Sequence, residues 1–154
     1  MGNVKEIIVV ATEAEEQLVR EVFADKYKII RTGVGFGNAI KKLKDLDKCI
    51  KIINIGYAGS NIIPVGSICE VGRCLNYHPN ATFDEMEYIL PTRINSYTCY
   101  TGNDFVLATD IKEPCLFDME LYAILSLGFK NVHSIKIVSD NLSLKEYNKN
   151  TNKK

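Results

Sequence analysis

Ile135-Lys136-Ile137-Val138-Ser139-Asp140-Asn141 decides the fold. A short apolar run with polar ends is expected of a strand covered on both faces, here over 134–138. Such a strand delivers Ser139 and Asp140 at its C-terminal edge, where open α/β sheets hold their ligands. Upstream, Phe117-Asp118-Met119-Glu120-Leu121-Tyr122-Ala123 predicts a helix, continuing to about Leu127, with acidic residues near its start. Strand and helix together bring two carboxylates, Asp140 and Glu120, toward one pocket. Carboxylates in unlike environments perform proton chemistry and hold hydroxyl groups.

The same alternation extends back to the N-terminus. Glu6 to Ala11 (EIIVVA) is a second buried strand. Thr12 and Glu15 then have the S/T-x-x-E spacing of a capping box, opening a helix to about Ala24. Tyr27 to Arg31 is a short strand. Gly33-Val34-Gly35-Phe36-Gly37-Asn38-Ala39 turns into a lysine-rich helix ending near Leu46. Cys49 to Ile55 is a strand broken by Gly56-Tyr57-Ala58-Gly59-Ser60, and Ser67 to Val71 is another. Residues 77–87 are polar and irregular, and 89–100 contain strand-like stretches. Strands alternating with helices across glycine turns define an α/β fold. The expectation is one α/β domain over 1–147, a single mixed sheet flanked by helices, with 148–154 a disordered tail.

At 154 residues the chain is long enough for one substantial core. Nineteen basic and nineteen acidic side chains cancel, so the electrostatic signature of a nucleic-acid binder is missing. The lysines at 41, 42 and 44 read as a solvated helix face, and those at 149, 153 and 154 as part of the tail. No apolar run reaches the ~18 residues of a membrane span. Glu6 before the first apolar run and Thr12-Glu13 after it spoil a signal-peptide layout, which makes cytoplasm the expected location. Cys49, Cys69, Cys74, Cys99 and Cys115 are scattered without a C-x-x-C pair, and most are expected to be reduced, buried apolar residues. No metal site and no organic cofactor are signalled.

Several residues carry two readings. Gly33-Val34-Gly35-Phe36-Gly37 misses the Walker and Rossmann spacings. It serves either a tight turn or backbone amides that hold a water or an anion. Glu13, Glu15 and Glu16 either favour the dipole of a first helical turn or supply a catalytic carboxylate at the sheet edge. Asp140 caps the next helix or acts chemically. Phe105 is a core aromatic or a flat surface on which a heterocycle stacks. His78 and His133 stand apart from any carboxylate pattern.

Taken in order, these segments resemble the nucleoside phosphorylase and nucleosidase superfamily, nearest to the hydrolases of methylthioadenosine and adenosylhomocysteine and to futalosine hydrolase. The matching pieces are A-T-E-A-E from Ala11, G-V-G-F-G-N-A from Gly33, N-I-G-Y-A-G from Asn54 and V-G-S-I from Val65. T-G-N-D-F-V from Thr101, D-M-E-L-Y-A from Asp118 and S-D at Ser139-Asp140 complete the set. The resemblance implies hydrolysis of the N-glycosidic bond of a purine nucleoside. Asp140 would be the general acid at purine N7, supported by Ser139, and Glu15 the base that activates water, with Glu13 and Glu16 as alternatives. Glu120 would grip the ribose hydroxyls, Met119 pack on the sugar, Phe105 stack on the base, and the backbone of Val106 read its edge.

Phosphorolytic relatives hold phosphate with an arginine and a serine around the N-x-G-x-A-G segment. Asn54 and Tyr57 stand there in this chain, which favours water as the nucleophile. The resemblance also marks departures. Only fourteen residues follow Asp140, so the C-terminal helix of the family is expected to be truncated. Tyr57 replaces a small residue beside the presumed water and sugar. A catalytically impaired nucleoside binder and a phosphate-dependent phosphorylase are the alternatives. The expected partners are a small nucleoside and a second copy of the chain, with Tyr77-His78-Pro79-Asn80 in the segment that resembles the family's dimer interface.

Overall fold

β1 (Glu6–Val10) forms where the sequence offers an unbroken apolar run, and its side chains split between two cores. Ile8 and Val10 pack with Val19 of α1 (Glu13–Phe23), while Ile7 and Val9 join Ala39 and Leu43 of α2 (Phe36–Leu43). The period of two along a strand sends alternate residues to opposite faces, so only a strand with helices on both sides can be apolar throughout. The computed structural model describes residues 5–77, 87–93, 96–102 and 104–151.

β2 (Lys28–Arg31) and β3 (Lys51–Ser60) lie parallel to β1 on either side. β8 (Asn131–Asp140) runs parallel to β3, and β4 (Ile68–Asn76) pairs antiparallel to β8. β4 pairs in turn with β6 (Ser96–Thr101) and with the short β5 (Tyr88–Ile89). β6 lies parallel to β7 (Cys115–Asp118), whose end returns antiparallel to β3 at Gly59 and Ser60. The pairings β3–β8–β4–β6–β7–β3 therefore close on themselves within a mixed sheet of eight strands. Helix α3 (Leu121–Ser126) packs its Leu121 and Ile124 into the larger core, and α4 (Leu144–Thr151) follows β8.

The α/β class and the mixed sheet with flanking helices are as the sequence predicts, and three local expectations are corrected. Phe117 and Asp118 end β7 instead of opening a helix, and Glu120 sits at the N-cap of α3 rather than one turn inside it. β3 continues through Gly56-Tyr57-Ala58-Gly59 instead of breaking there. The tail expected from residue 148 is helical to Thr151, whose side chain is buried. Residues 152–154 lie outside the described residues, as do His78, Pro79 and Asn80 of the expected interface segment and Asn103.

The glycines inside β3 answer to carboxylates. A Cβ on Gly56 would meet Glu15 Oε2 at 2.7 Å, and one on Gly59 would meet Asp140 Oδ2 at 3.0 Å. A strand pays an entropic penalty for interior glycine, so these positions mark close approach rather than a chain break. Gly56→Ala is expected to lower stability by ~1–3 kcal/mol, because the Glu15 carboxylate is buried and cannot swing aside. An unchanged midpoint in urea unfolding would contradict the close contact.

Candidate active site

Thr12 caps α1 with extended backbone angles, its hydroxyl accepting the Glu15 N–H at 3.2 Å. The Glu15 carboxylate returns to the chain before it, accepting the N–H groups of Ala11 at 2.7 Å and Thr12 at 3.2 Å. Its other oxygen accepts the Tyr57 N–H at 2.9 Å. The capping box thus turns Glu15 inward across β3. Glu13 is exposed, and Glu16 pairs with Arg20 at 3.0 Å and Arg31 at 3.6 Å. Of the acidic trio only Glu15 lines the central hollow.

β8 supplies Asp140 through a bulge. Ala58 pairs with Val138 and Gly59 with Asp140, which leaves Ser139 as the extra residue. A bulge re-aims the side chain beside it. The Asp140 carboxylate accepts the Ser139 hydroxyl at 2.7 Å and the N–H groups of Leu142 at 3.0 Å and Ser143 at 3.3 Å. Burial pushes this carboxyl above the usual aspartate range, against the pull of those hydrogen bonds. The capping reading of Asp140 and the chemical one are both present: it caps the turn into α4 and lines the hollow.

Glu120 reaches the same hollow from the far side and accepts the Gly35 N–H at 2.7 Å. Gly35 holds a φ of 101°, which leaves that amide free to face the carboxylate and favours glycine there. Burial, and then the charge of Asp118, push the Glu120 carboxyl up to about 8; the Gly35 N–H and Lys136 act in the opposite direction.

Met119, Tyr57 and Ser139 complete the walls, and Phe105 stands edge-on to Tyr147 of α4 at 5.3 Å. The hollow measures about 70 Å³. Phe105 also lines a second chamber of about 230 Å³, together with Tyr77 and Val106 among others. The sequence-predicted residues are therefore gathered in one place, with Val106 in an adjoining cavity that it shares with Phe105, Met119 and Asp140. His133 lies on β8 opposite Ile53, outside the hollow. Among the described residues no group of three or more His, Cys, Asp or Glu is arranged to hold a metal ion. No described helix is long and apolar enough to cross a membrane.

Sequence reasoning missed Lys136, Asp118 and Tyr147. Lys136 is buried and pairs with Asp118 at 3.1 Å. Burial lowers its ammonium pKa, but the charge of Asp118 outweighs that and leaves it raised. A lysine between isoleucines on a covered strand was the available signal, since buried charges are paired. Asp118 hides in the D-M-E triplet. Tyr147 lies beyond the last strand, immediately before the stretch expected to be a disordered tail.

No protein-family model matches the chain, and no curated protein sequence matches it. Solved structures do. The 5'-methylthioadenosine/S-adenosyl homocysteine nucleosidase of Helicobacter pylori superposes with a TM-score of 0.79 at 14% identity, over 98% of this chain and 92% of that one. Futalosine hydrolase of Helicobacter pylori gives 0.78 at 13% identity, over 96% and 91%. The S-adenosylhomocysteine nucleosidase of Streptococcus pyogenes gives 0.74 at 17% identity, over 98% and 91%. The chain has the nucleoside phosphorylase/nucleosidase fold.

Glu120 gives this site a measurable pH signature. An unfolded glutamate titrates near about 4.3, whereas the folded carboxyl keeps its proton to about 8. Between those values the folded state binds more protons, so stability falls as pH rises. Glu120→Gln is neutral throughout and escapes that loss. Its melting temperature relative to the unmodified chain should climb from about pH 5 to about pH 8. A gap that stays constant across this range would contradict the raised carboxyl.

Proposed function

We propose that this chain hydrolyses the N-glycosidic bond of a purine nucleoside of the methylthioadenosine or adenosylhomocysteine type. The carrying observation is the composition of the hollow: Glu15, Asp118, Glu120 and Asp140 line it, and no lysine or arginine does. Such walls offer hydrogen-bonding carboxyl groups to a neutral nucleoside and no lining cation to hold a phosphate.

On this reading Asp140, whose carboxyl burial pushes above the usual aspartate range, donates a proton to purine N7 while Ser139 holds the other carboxyl oxygen. The C–N bond breaks, the base leaves neutral, and the sugar carries oxocarbenium-like charge. Glu15, held in place by its N–H donors, takes a proton from the attacking water. Glu120 accepts from the ribose hydroxyls and Met119 packs against the ring. Phe105 stacks on the base and the Val106 backbone meets its edge. Tyr57 stands beside the water and the sugar.

Phosphorolysis has little support. The Asn54 amide, at the position where phosphorolytic relatives begin their phosphate segment, is already engaged with Val9 O at 3.3 Å and the Ser134 hydroxyl at 2.8 Å. Binding without turnover has one observation in its favour, the small hollow beside Phe105 and Tyr147. A nucleoside is far larger than about 70 Å³, so those two rings must part to admit it. On the same reading the chain is a cytoplasmic homodimer; a sedimentation mass of one chain would contradict the dimer.

Adenine release from methylthioadenosine, followed by ultraviolet absorbance in a coupled assay, tests the activity. Asp140→Asn is expected to lose ~10²–10⁴-fold in rate, the usual contribution of a general acid, without a lower unfolding midpoint. Equal rates would remove Asp140 from the mechanism. Binding of methylthioadenosine with no turnover by the unmodified chain would leave the impaired-binder reading in its place.

A further inference from the structure

The residue at the N-cap of α3 does not cap it. Glu120 makes no hydrogen bond to the helix's first turn, and its carboxylate accepts the Gly35 N–H instead. N-cap side chains ordinarily satisfy the orphan N–H groups of that turn, and leaving such groups buried and unpaired is costly. Here the task has moved to β7. Asp118 Oδ2 accepts the Leu121 N–H at 2.9 Å. The Thr101 hydroxyl accepts the Tyr122 N–H at 3.0 Å and donates to Asp118 Oδ1 at 2.5 Å.

Asp118 can do this only as an acceptor on both oxygens, and it does so with its side chain 1% exposed. Lys136 Nζ, 3.1 Å from Oδ2 and itself 2% exposed, is the cation beside it. An ionised carboxylate left unpaired in such a place takes up a proton or turns away.

We propose that Lys136 is a positioning residue: by pairing with Asp118 it maintains a substitute cap on α3, and that cap releases Glu120 to face the hollow. Without Lys136 the unpaired Asp118 carboxylate turns away from its buried place, and the Leu121 N–H loses its acceptor. Glu120, one residue before it, is then drawn back to the ordinary capping role. The inference rests on the sugar-holding role of Glu120 for its functional meaning, but the placement of Glu120 is measurable without any substrate.

The Gly35 amide is the reporter, because its N–H meets the Glu120 carboxylate. The charged or titratable groups around Glu120 are Asp118 of β7, Lys136 of β8, Glu15 of α1 and Tyr147 of α4. In ¹H–¹⁵N correlation spectra of the full chain, the Gly35 cross-peak should move with pH with a midpoint at about 8. In Lys136→Met that movement is expected to vanish, and the Glu120 ¹³C carboxyl midpoint to fall toward the ordinary glutamate range. Lys136→Arg should restore both.

A spectator lysine predicts the opposite sign. Glu120 would stay on Gly35, lose a favourable charge and titrate higher. An unchanged or raised midpoint in Lys136→Met, with the Gly35 movement intact, therefore overturns the proposal. Should Lys136→Met fail to fold, Asp118→Asn combined with Lys136→Met removes both charges but keeps a side-chain carbonyl for the Leu121 N–H. The Gly35 titration should return in that double variant, and a folded double variant without it also overturns the proposal. Because no nucleoside is added, these results stand whether or not the chain proves to be a hydrolase.

Discussion

Gly59 is hydrogen-bonded into two ladders at once, facing Asp140 of β8 on one side and Phe117 of β7 on the other. Adjacent strands lie about 4.8 Å apart, so this single residue sets the β8 acid and the β7 end about 10 Å from each other. The ring of pairings that closes at β3 makes that spacing rigid. Any side chain at Gly59 would intrude on the Asp140 carboxylate, and any slip of register would send Asp140 to another partner. The hollow is the space that remains above this glycine, and Glu15 enters it from α1 because Gly56, three residues earlier, also leaves room.

Four carboxylates around so small a hollow repel one another, and each is accommodated by a different device. Glu15 rests on three main-chain N–H groups. Asp118 has a buried lysine. Asp140 and Glu120 are pushed toward their protonated forms by burial. Among the described residues no buried side-chain nitrogen or oxygen lacks a hydrogen-bond partner. The result is a site in which acidic groups held in unlike environments face one small space.

Much of this was legible in the residues. The capping box at Thr12 and Glu15 placed the first helix correctly, because its signal is local and reciprocal. The apolar run before Ser139-Asp140 placed β8 and its acid. The errors share a cause: glycine and short acidic segments carry long-range meaning that local propensity misreads. Gly56 and Gly59 look like chain breakers until the carboxylates opposite them are known. D-M-E-L-Y-A has helical spacing, yet pairing with β6 draws Asp118 into a strand, a tertiary preference that no local window contains. Lys136 was readable only as an anomaly, since its partner lies eighteen residues away in sequence and on another strand. The aromatic contact between Phe105 and Tyr147 was hidden because α4 has few apolar residues with which to announce itself.

The most direct measurement is a crystal structure of the chain soaked with methylthioadenosine, using Asp140→Asn to prevent turnover. The account predicts a purine stacked on Phe105 with N7 toward position 140, and ribose hydroxyls on the Glu120 carboxylate. It also predicts a water between Glu15 and the anomeric carbon. A nucleoside bound elsewhere, or a ribose turned away from Glu120, would contradict it.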